Sequence, residues 1–139
     1  MENHYQSPWF VEALQKEDNL EVNQLDLNLD TDICIIGGGF TGLWAALKIK
    51  EKKPSTNIIL IEKDLCGSGA SGRNGGCMIP QSTKFQGIEK VVGTEDAKKI
   101  VLATEDAVNN IKNYCLNNNI DAEIRDDGVF YGATNKFHK

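Results

Sequence analysis

Histidine is nearly missing from this 139-residue chain, and with it go several chemistries. His4 and His138 stand near opposite ends, with no catalytic triad and no metal-ligand spacing around them. Cys34, Cys66, Cys77 and Cys115 include no CxxC pair. Cys34 sits in an apolar run that calls for a small apolar residue, so reduced thiols in a cytoplasmic protein are expected, not a disulfide framework or a zinc site. No apolar run is long enough to span a membrane, and the first residues lack a basic segment followed by an apolar one, so neither a transmembrane helix nor a signal peptide is expected. Positive charge is also short. The formal net charge is −5, which argues against a nucleic-acid partner or an anionic membrane surface. Lys48, Lys50, Lys52 and Lys53 form the one basic cluster, at the end of a predicted helix where cations complement the helix dipole, and read as a solvated face.

Glycine, by contrast, is plentiful and placed. Ile33-Cys34-Ile35-Ile36 is an apolar run that ends in Gly37-Gly38-Gly39-Phe40-Thr41-Gly42, so Gly37, Gly39 and Gly42 fall in the spacing G-x-G-x-x-G. Leu43 to Lys52 follows with helical periodicity, its apolar Leu43, Ala46, Leu47 and Ile49 expected to cover a sheet. A buried parallel strand that turns sharply into a helix, while an anionic pyrophosphate touches the backbone, requires residues without a Cβ. The helix start then offers unpaired N–H groups and the positive end of a dipole, so phosphate needs no basic side chain. Lys53-Pro54-Ser55-Thr56-Asn57 returns the chain to a second apolar run, Ile58-Ile59-Leu60-Ile61, which ends in Glu62. A carboxylate there can accept hydrogen bonds from ribose hydroxyls. Glycine triplets also serve as plain turns, but strand, glycines, helix, strand and acid together describe a dinucleotide-binding βαβ unit.

The next stretch, Lys63 to Gly76, holds five glycines with Ser68, Ser71, Arg73 and Asn74. A flexible linker would account for the glycines and not for Arg73-Asn74. A loop curling its amides around an anion would use the glycines to turn, Arg73 for charge, and Ser71 and Asn74 as directed hydrogen-bond partners. No helix or strand is expected in it.

Taken together, Gly37 to Gly42, Glu62-Lys63 and Gly69-Ala70-Ser71-Gly72-Arg73-Asn74-Gly75-Gly76 resemble the FAD-dependent oxidoreductases of the D-amino-acid-oxidase type (DAO family). They look most like the bacterial group that includes the gamma-glutamylputrescine oxidases. Ser7-Pro8-Trp9 and Arg125-Asp126-Asp127-Gly128 also look like that group, so the resemblance covers nearly the whole chain. It implies an FAD enzyme that oxidises the C–N bond of a small amine or amino acid by hydride transfer to flavin. It further implies that Gly37, Gly39 and Gly42 line the pyrophosphate, with Phe40 and Thr41 offering backbone amides. Glu62 would hold the adenosine ribose and Lys63 would lie beside the adenosine. Ala70, Ser71, Arg73, Asn74 and Gly75 would follow the cofactor toward the flavin ring. The sequence departs from the pattern at Lys53, which stands in a longer charged turn where this fold often ends its first helix with glycine.

Elsewhere the sequence reads as scaffold. Ser7-Pro8 caps a short helix ending near Lys16, packed down by Trp9 and Phe10, and Leu25, Leu27 and Leu29 alternate as an extended segment leaning on a surface. A short helix is expected over 84–93. Thr94 is expected to cap a longer one over 95–118, with Ala97, Ile100, Val101, Ala107, Val108, Ile111, Tyr114 and Cys115 as its apolar stripe and asparagines at its end. Residues 122–125 and 129–133 read as two strands joined at Asp126-Asp127-Gly128, with Arg125 exposed and Tyr131 packed. The expected fold class is α/β, a Rossmann-like FAD-binding βαβ unit followed by helices and, as the resemblance implies, the first strands of a substrate domain. The expected divisions are an arm over 1–30, the first part of the FAD domain over 31–121, and the start of the substrate domain over 122–139. A βαβ pair leaves both sheet edges unpaired, so the chain reads as an N-terminal fragment of a longer enzyme, inactive alone. Two other readings share parts of this pattern: the nucleotide domain of a nicotinamide-dependent dehydrogenase, and a non-catalytic nucleotide-binding module.

Overall fold

The computed structural model describes residues 7–17, 24–130 and 132. The chain divides into two units, Met1–Cys77 and Met78–Lys139.

In the first unit, Ser7 caps a helix α1 (Pro8–Gln15), its hydroxyl accepting from the Phe10 amide at 3.2 Å. Proline in the first turn needs no N–H partner, which suits it to that place. Phe10 turns inward, but Trp9 is 61% exposed and packs nothing down. Leu25, Leu27 and Leu29 lie in a stretch without regular structure and are exposed, so among the described residues they lean on no surface.

Strands β1 (Ile33–Ile36) and β2 (Ile58–Ile61) pair in parallel, Ile33 opposite Ile58 and Ile36 opposite Ile61. Their ladder is pinned at the entry by Asp32, whose carboxylate accepts from the Asn57 amide at 2.8 Å, and by Thr31, whose hydroxyl donates to the Asn57 carbonyl at 2.9 Å. It runs out at the far end with the Gly37 amide donating to the Ile61 carbonyl at 2.8 Å. Helix α2 (Phe40–Lys52) joins the strands, starting three residues earlier than the apolar periodicity implied because the glycines already belong to its first turn. At its other end Lys50 donates to the Pro54 and Thr56 carbonyls, at 2.8 and 3.0 Å. That cation satisfies the turn that replaces the usual terminal glycine, as the dipole argument requires. Lys48 pairs with Glu51 and lies over the Trp44 ring, 4.9 Å from its centroid.

The second unit is helical. A short 3₁₀ turn (Gln81–Lys84) leads into α3 (Phe85–Val92), and Gly93, at φ +82°, breaks to α4 (Thr94–Asn117). Thr94 is the first residue of α4 and not its cap; its hydroxyl donates to Glu89 at 2.8 Å. Within α4, Ala97 is buried, and Val101, Thr104, Val108 and Cys115 follow it on the same half-buried face, with Tyr114 also half-buried; Ile111 is exposed at the edge of that face, and Ile100 and Ala107 are exposed beside it. The helix ends as its asparagines imply. Asn119 takes φ +53°, the Ile120 amide donates to the Cys115 carbonyl at 2.9 Å, and the Asn119 amide donates to Leu116 at 3.3 Å, which is the paired closure of a left-handed C-terminal cap.

The strands expected after α4 are not formed among the described residues: 121–130 carry no regular structure, and Phe130 is 99% exposed. A hairpin without further strands or a helix to cover it is marginal. The charges that were to make its turn are drawn elsewhere, Asp126 to Lys112 of α4 and Arg125 to Asp127. His4, His138, Tyr131 and Ala133 lie outside the described residues. All four cysteines are free thiols. Among the described residues no helix is long and apolar enough to cross a membrane, and no group of three or more His, Cys, Asp or Glu is placed to hold a metal.

A Cβ added at Gly42 would lie 2.1 Å from the Gly37 carbonyl oxygen, whereas one at Gly69 meets nothing within 4 Å. Gly42→Ala is therefore expected to cost about 1–3 kcal/mol in urea unfolding, while Gly69→Ala stays within about 0.5 kcal/mol of the unchanged chain or stabilises it slightly. Equal midpoints for the two variants would show that strand and helix do not meet this closely.

Candidate functional site

Two glycine turns meet at the C-terminal end of the parallel sheet. The first, Gly37 to Gly42, follows from sterics: Gly37 takes φ +103°, closed to ordinary side chains, and its carbonyl packs against Gly42 at the start of α2. Gly39 is the N-cap of α2 and brings no side-chain cap of its own. The second turn repeats the arrangement thirty residues on, with Gly67 at φ +84° and its carbonyl 2.4 Å from where a Cβ of Gly72 would stand. A 3₁₀ turn (Ala70–Gly72) lies inside it, where no helix of any kind was expected.

Three hydrogen bonds lock the turns to each other and to β2. Glu62 accepts from the Gly38 amide at 2.6 Å, the Gly67 amide donates to the Gly38 carbonyl at 3.0 Å, and the Phe40 amide donates to the Ser71 hydroxyl oxygen at 2.9 Å. Gly38 is buried between them, and a Cβ there would strike Cys66 Sγ at 2.5 Å. Glu62 also accepts from the Asp64 amide at 3.1 Å. The Gly38 amide above all, then those of Asp64 and Lys63, hold the Glu62 carboxyl below the ordinary glutamate range, outweighing the opposing effect of desolvation.

The cofactor residues expected from the sequence are thus brought together in one unit, though several are engaged differently. Glu62 spends part of its acceptor capacity on the backbone and keeps lone pairs for a further donor. The Phe40 amide is taken by Ser71, which leaves the first-turn amides of Thr41 and Gly42 without an intrahelical carbonyl to reach. Arg73 donates from Nε to the Gly69 carbonyl at 3.1 Å, so its Nη groups extend from a tethered arm. Asn74 closes its own turn, Nδ2 donating to the Ser71 carbonyl at 2.6 Å and Oδ1 accepting from the Gly76 amide at 2.7 Å. Ala70, Gly75 and Lys63 are exposed around this framework.

Ser7 and Phe10, read from the sequence as a helix cap and a packing residue, also build the site. Ser7 donates through Oγ to the Gly72 carbonyl, and the Phe10 ring packs against Gly72 and Gly67. The Ser-Pro cap was legible; its target, sixty-five residues away, leaves no local pattern.

The glycines pass a steric test for a bound dinucleotide. A side chain at Gly39 would begin 2.8 Å from Ser71 Oγ, filling the space between the two turns, and one at Gly42 would force α2 off the strand. What remains are the Thr41 and Gly42 amides at the N-terminus of α2, donors that suit a pyrophosphate.

Comparison with known proteins identifies a family. The family model described as FAD dependent oxidoreductase (DAO) matches residues 32–138. Gamma-glutamylputrescine oxidoreductase of Escherichia coli (strain K12) is 31% identical over 113 residues, 81% of this chain and 26% of that protein. A probable oxidoreductase OrdL of Rhizobium meliloti (strain 1021) is 37% identical over 94 residues, 67% of this chain and 22% of its own length. A second OrdL, of Haemophilus influenzae, is 43% identical over 72 residues, 50% of this chain and 16% of its own. The chain thus spans roughly a quarter or less of the length of these relatives. No solved structure matches it.

The Glu62 geometry sets a pH dependence. Because folding lowers its pKa, the unfolded chain binds more protons in the acid range, so this contribution is present in full above the ordinary value of 4.5 and is lost as pH falls through the lower folded value. Urea midpoints of the unchanged chain should fall through that window, and Glu62→Gln should flatten the fall. Parallel pH profiles for the two proteins would show that Glu62 does not carry the effect.

Proposed function

The chain belongs to the FAD dependent oxidoreductase family, and on that premise we propose that its first unit holds the adenosine and pyrophosphate end of FAD in a Rossmann-like βαβ site. The observation that carries this reading is the interlock of the two glycine turns through Gly38, Glu62, Phe40 and Ser71. In it, Gly37, Gly39 and Gly42 admit the pyrophosphate to the backbone, and the amides of Thr41 and Gly42 and the dipole of α2 hold its charge. Glu62 accepts from the ribose hydroxyls with the lone pairs that Gly38 and Asp64 leave, and Lys63 flanks the adenosine. Ser71, Arg73, Asn74 and the backbone of Ala70 and Gly75 lead toward the flavin ring, Arg73 bringing the one cation of the loop.

FAD, when bound, supplies the hydride acceptor for oxidation of a C–N bond. We take the substrate class, an amine or amino acid, from the resemblance and from the name of the E. coli relative. On this reading residues 31–121 belong to the cofactor domain and 122–139 open a substrate domain. The chain alone binds without turning over amines: among the described residues only Gly38 and Ala97 are buried, so no chamber closes water out from a reacting carbon.

Titration of the purified chain with FAD, followed by flavin fluorescence, is expected to saturate. Gly39→Val and Glu62→Ala should each weaken binding by about tenfold or more. Saturable NAD binding with no FAD binding would replace this reading with that of a nicotinamide-dependent dehydrogenase. Amine oxidation at rates ordinary for enzymes would refute the claim that the chain does not turn over alone.

A further inference from the structure

Helix α1 lies outside the stretch that the family model matches, which begins at residue 32, yet it is fastened to the second glycine turn at two points. Ser7 uses one hydroxyl twice, accepting from the Phe10 amide as the cap of α1 and donating to the Gly72 carbonyl. The Phe10 ring covers the place where Gly67 and Gly72 close on each other: a Cβ at Gly72 would lie 3.2 Å from Phe10 Cδ2, and one at Gly67 3.7 Å from Cε2.

The first turn shows what such a cover does. There the matching closure of Gly37 on Gly42 is backed by Ile35, whose Cγ2 lies 3.2 Å from a Cβ placed at Gly42. Ile35 belongs to a strand and is held by the sheet. The second turn follows β2 with no strand beneath it, and between Gly69 and Arg73 its backbone closes through the long bonds of a 3₁₀ turn, Gly72 to Gly69 at 3.3 Å and Arg73 to Ala70 at 3.2 Å, beside the side-chain bonds of Arg73 and Asn74. Such turns open easily unless packing holds them shut. Phe10 supplies to the second turn the backing that Ile35 supplies to the first, from a part of the chain that precedes the sheet.

We infer that α1 is a clamp for the cofactor loop, with Phe10 and Ser7 as positioning residues that keep Gly67 to Arg73 in the shape in which Ser71 and Arg73 serve the flavin-side half of FAD. The inference rests on the cofactor reading above for the identity of what the loop holds. Phe10 acts through the loop, against which its ring is packed. Its removal should therefore loosen the flavin-side half of the cofactor more than the other, because adenosine and its adjoining phosphates rest on the first turn and on Glu62, which the sheet and α2 also hold, although the Gly67–Gly38 and Phe40–Ser71 hydrogen bonds join them to the loop.

The test uses the whole chain with Phe10→Ala, Phe10→Tyr and Ser7→Ala. Amide hydrogen exchange without ligand should be about tenfold faster at Gly72 and Arg73 in Phe10→Ala, and changed less than about twofold at Gly37 and Leu43, whose bonds belong to the first turn and α2. FAD affinity should fall about tenfold while ADP affinity changes less than about twofold. Phe10→Tyr, which keeps the ring, should restore both readings, and Ser7→Ala should move them in the same direction as Phe10→Ala. If Phe10→Ala also releases the Gly37 and Leu43 amides, Ser7→Ala decides by the same comparison. Unchanged exchange at Gly72 and Arg73, or an equal loss of FAD and ADP, would overturn the clamp. Faster loop exchange in a chain that binds no FAD at all would leave the clamp standing and bring down the cofactor reading.

Discussion

The grip of the Glu62 carboxylate on the Gly38 amide is the contact from which the first unit is built. Parallel strands diverge once one of them turns away, and the backbone ladder here ends where Gly37 donates to Ile61. Glu62 extends that ladder one step further with a side chain, reaching the next amide after the strand has ended. Gly38 is buried with the carboxylate as its acceptor, and the backbone donors hold the Glu62 carboxyl below the ordinary glutamate range against the opposing effect of desolvation. The Gly38 carbonyl is then aimed at Gly67, and the second turn is laid across the first. The charge in this site is thus structural before it is functional.

The second unit is organised by its chain ends instead of by a sheet. Gly93 in the left-handed region separates α3 from α4, and Asn119 in the same region closes α4 onto its own carbonyls. Between these stops the helix is held mainly by local means. Its first turn carries Glu95 and Asp96, each paired with a lysine three residues on, where acid complements the dipole. Such exposed pairs contribute little to stability, and the half-buried face through Ala97, Val101, Thr104, Val108 and Cys115 provides the packing.

What could be read in advance followed from local rules. Both strands, the helix between them, the Ser7 cap and the asparagine stop of α4 obey constraints that act within a few residues, and each forms where the sequence places it, α2 opening three residues early. The site was legible as a set of residues for the same reason, since glycine spacing and a strand-end acid are local signals. How those residues engage one another was not. Ser71 on the Phe40 amide spans thirty-one positions and Ser7 on Gly72 sixty-five, and no periodicity records such distances. The two strands expected after α4 failed for a related reason. Alternation and a Gly-containing turn describe a strand only when a neighbour pairs with it, and among the described residues Val129 and Phe130 have no sheet to join. The stripe on α4 was drawn too wide because helical spacing marks candidate faces, whereas burial depends on what lies opposite.

The paired closures of Gly37 on Gly42 and Gly67 on Gly72 also bear on how the chain can drift. Every coded residue other than glycine carries a β-carbon, so at Gly42 and Gly72 no small step exists: the first atom of any replacement already falls 2.1 or 2.4 Å from a carbonyl oxygen. Gly69 and Gly75, a few positions away in the same loop, meet nothing within 4 Å and are open to gradual change. One glycine-rich stretch therefore contains both frozen and free sites, and its composition alone does not tell them apart.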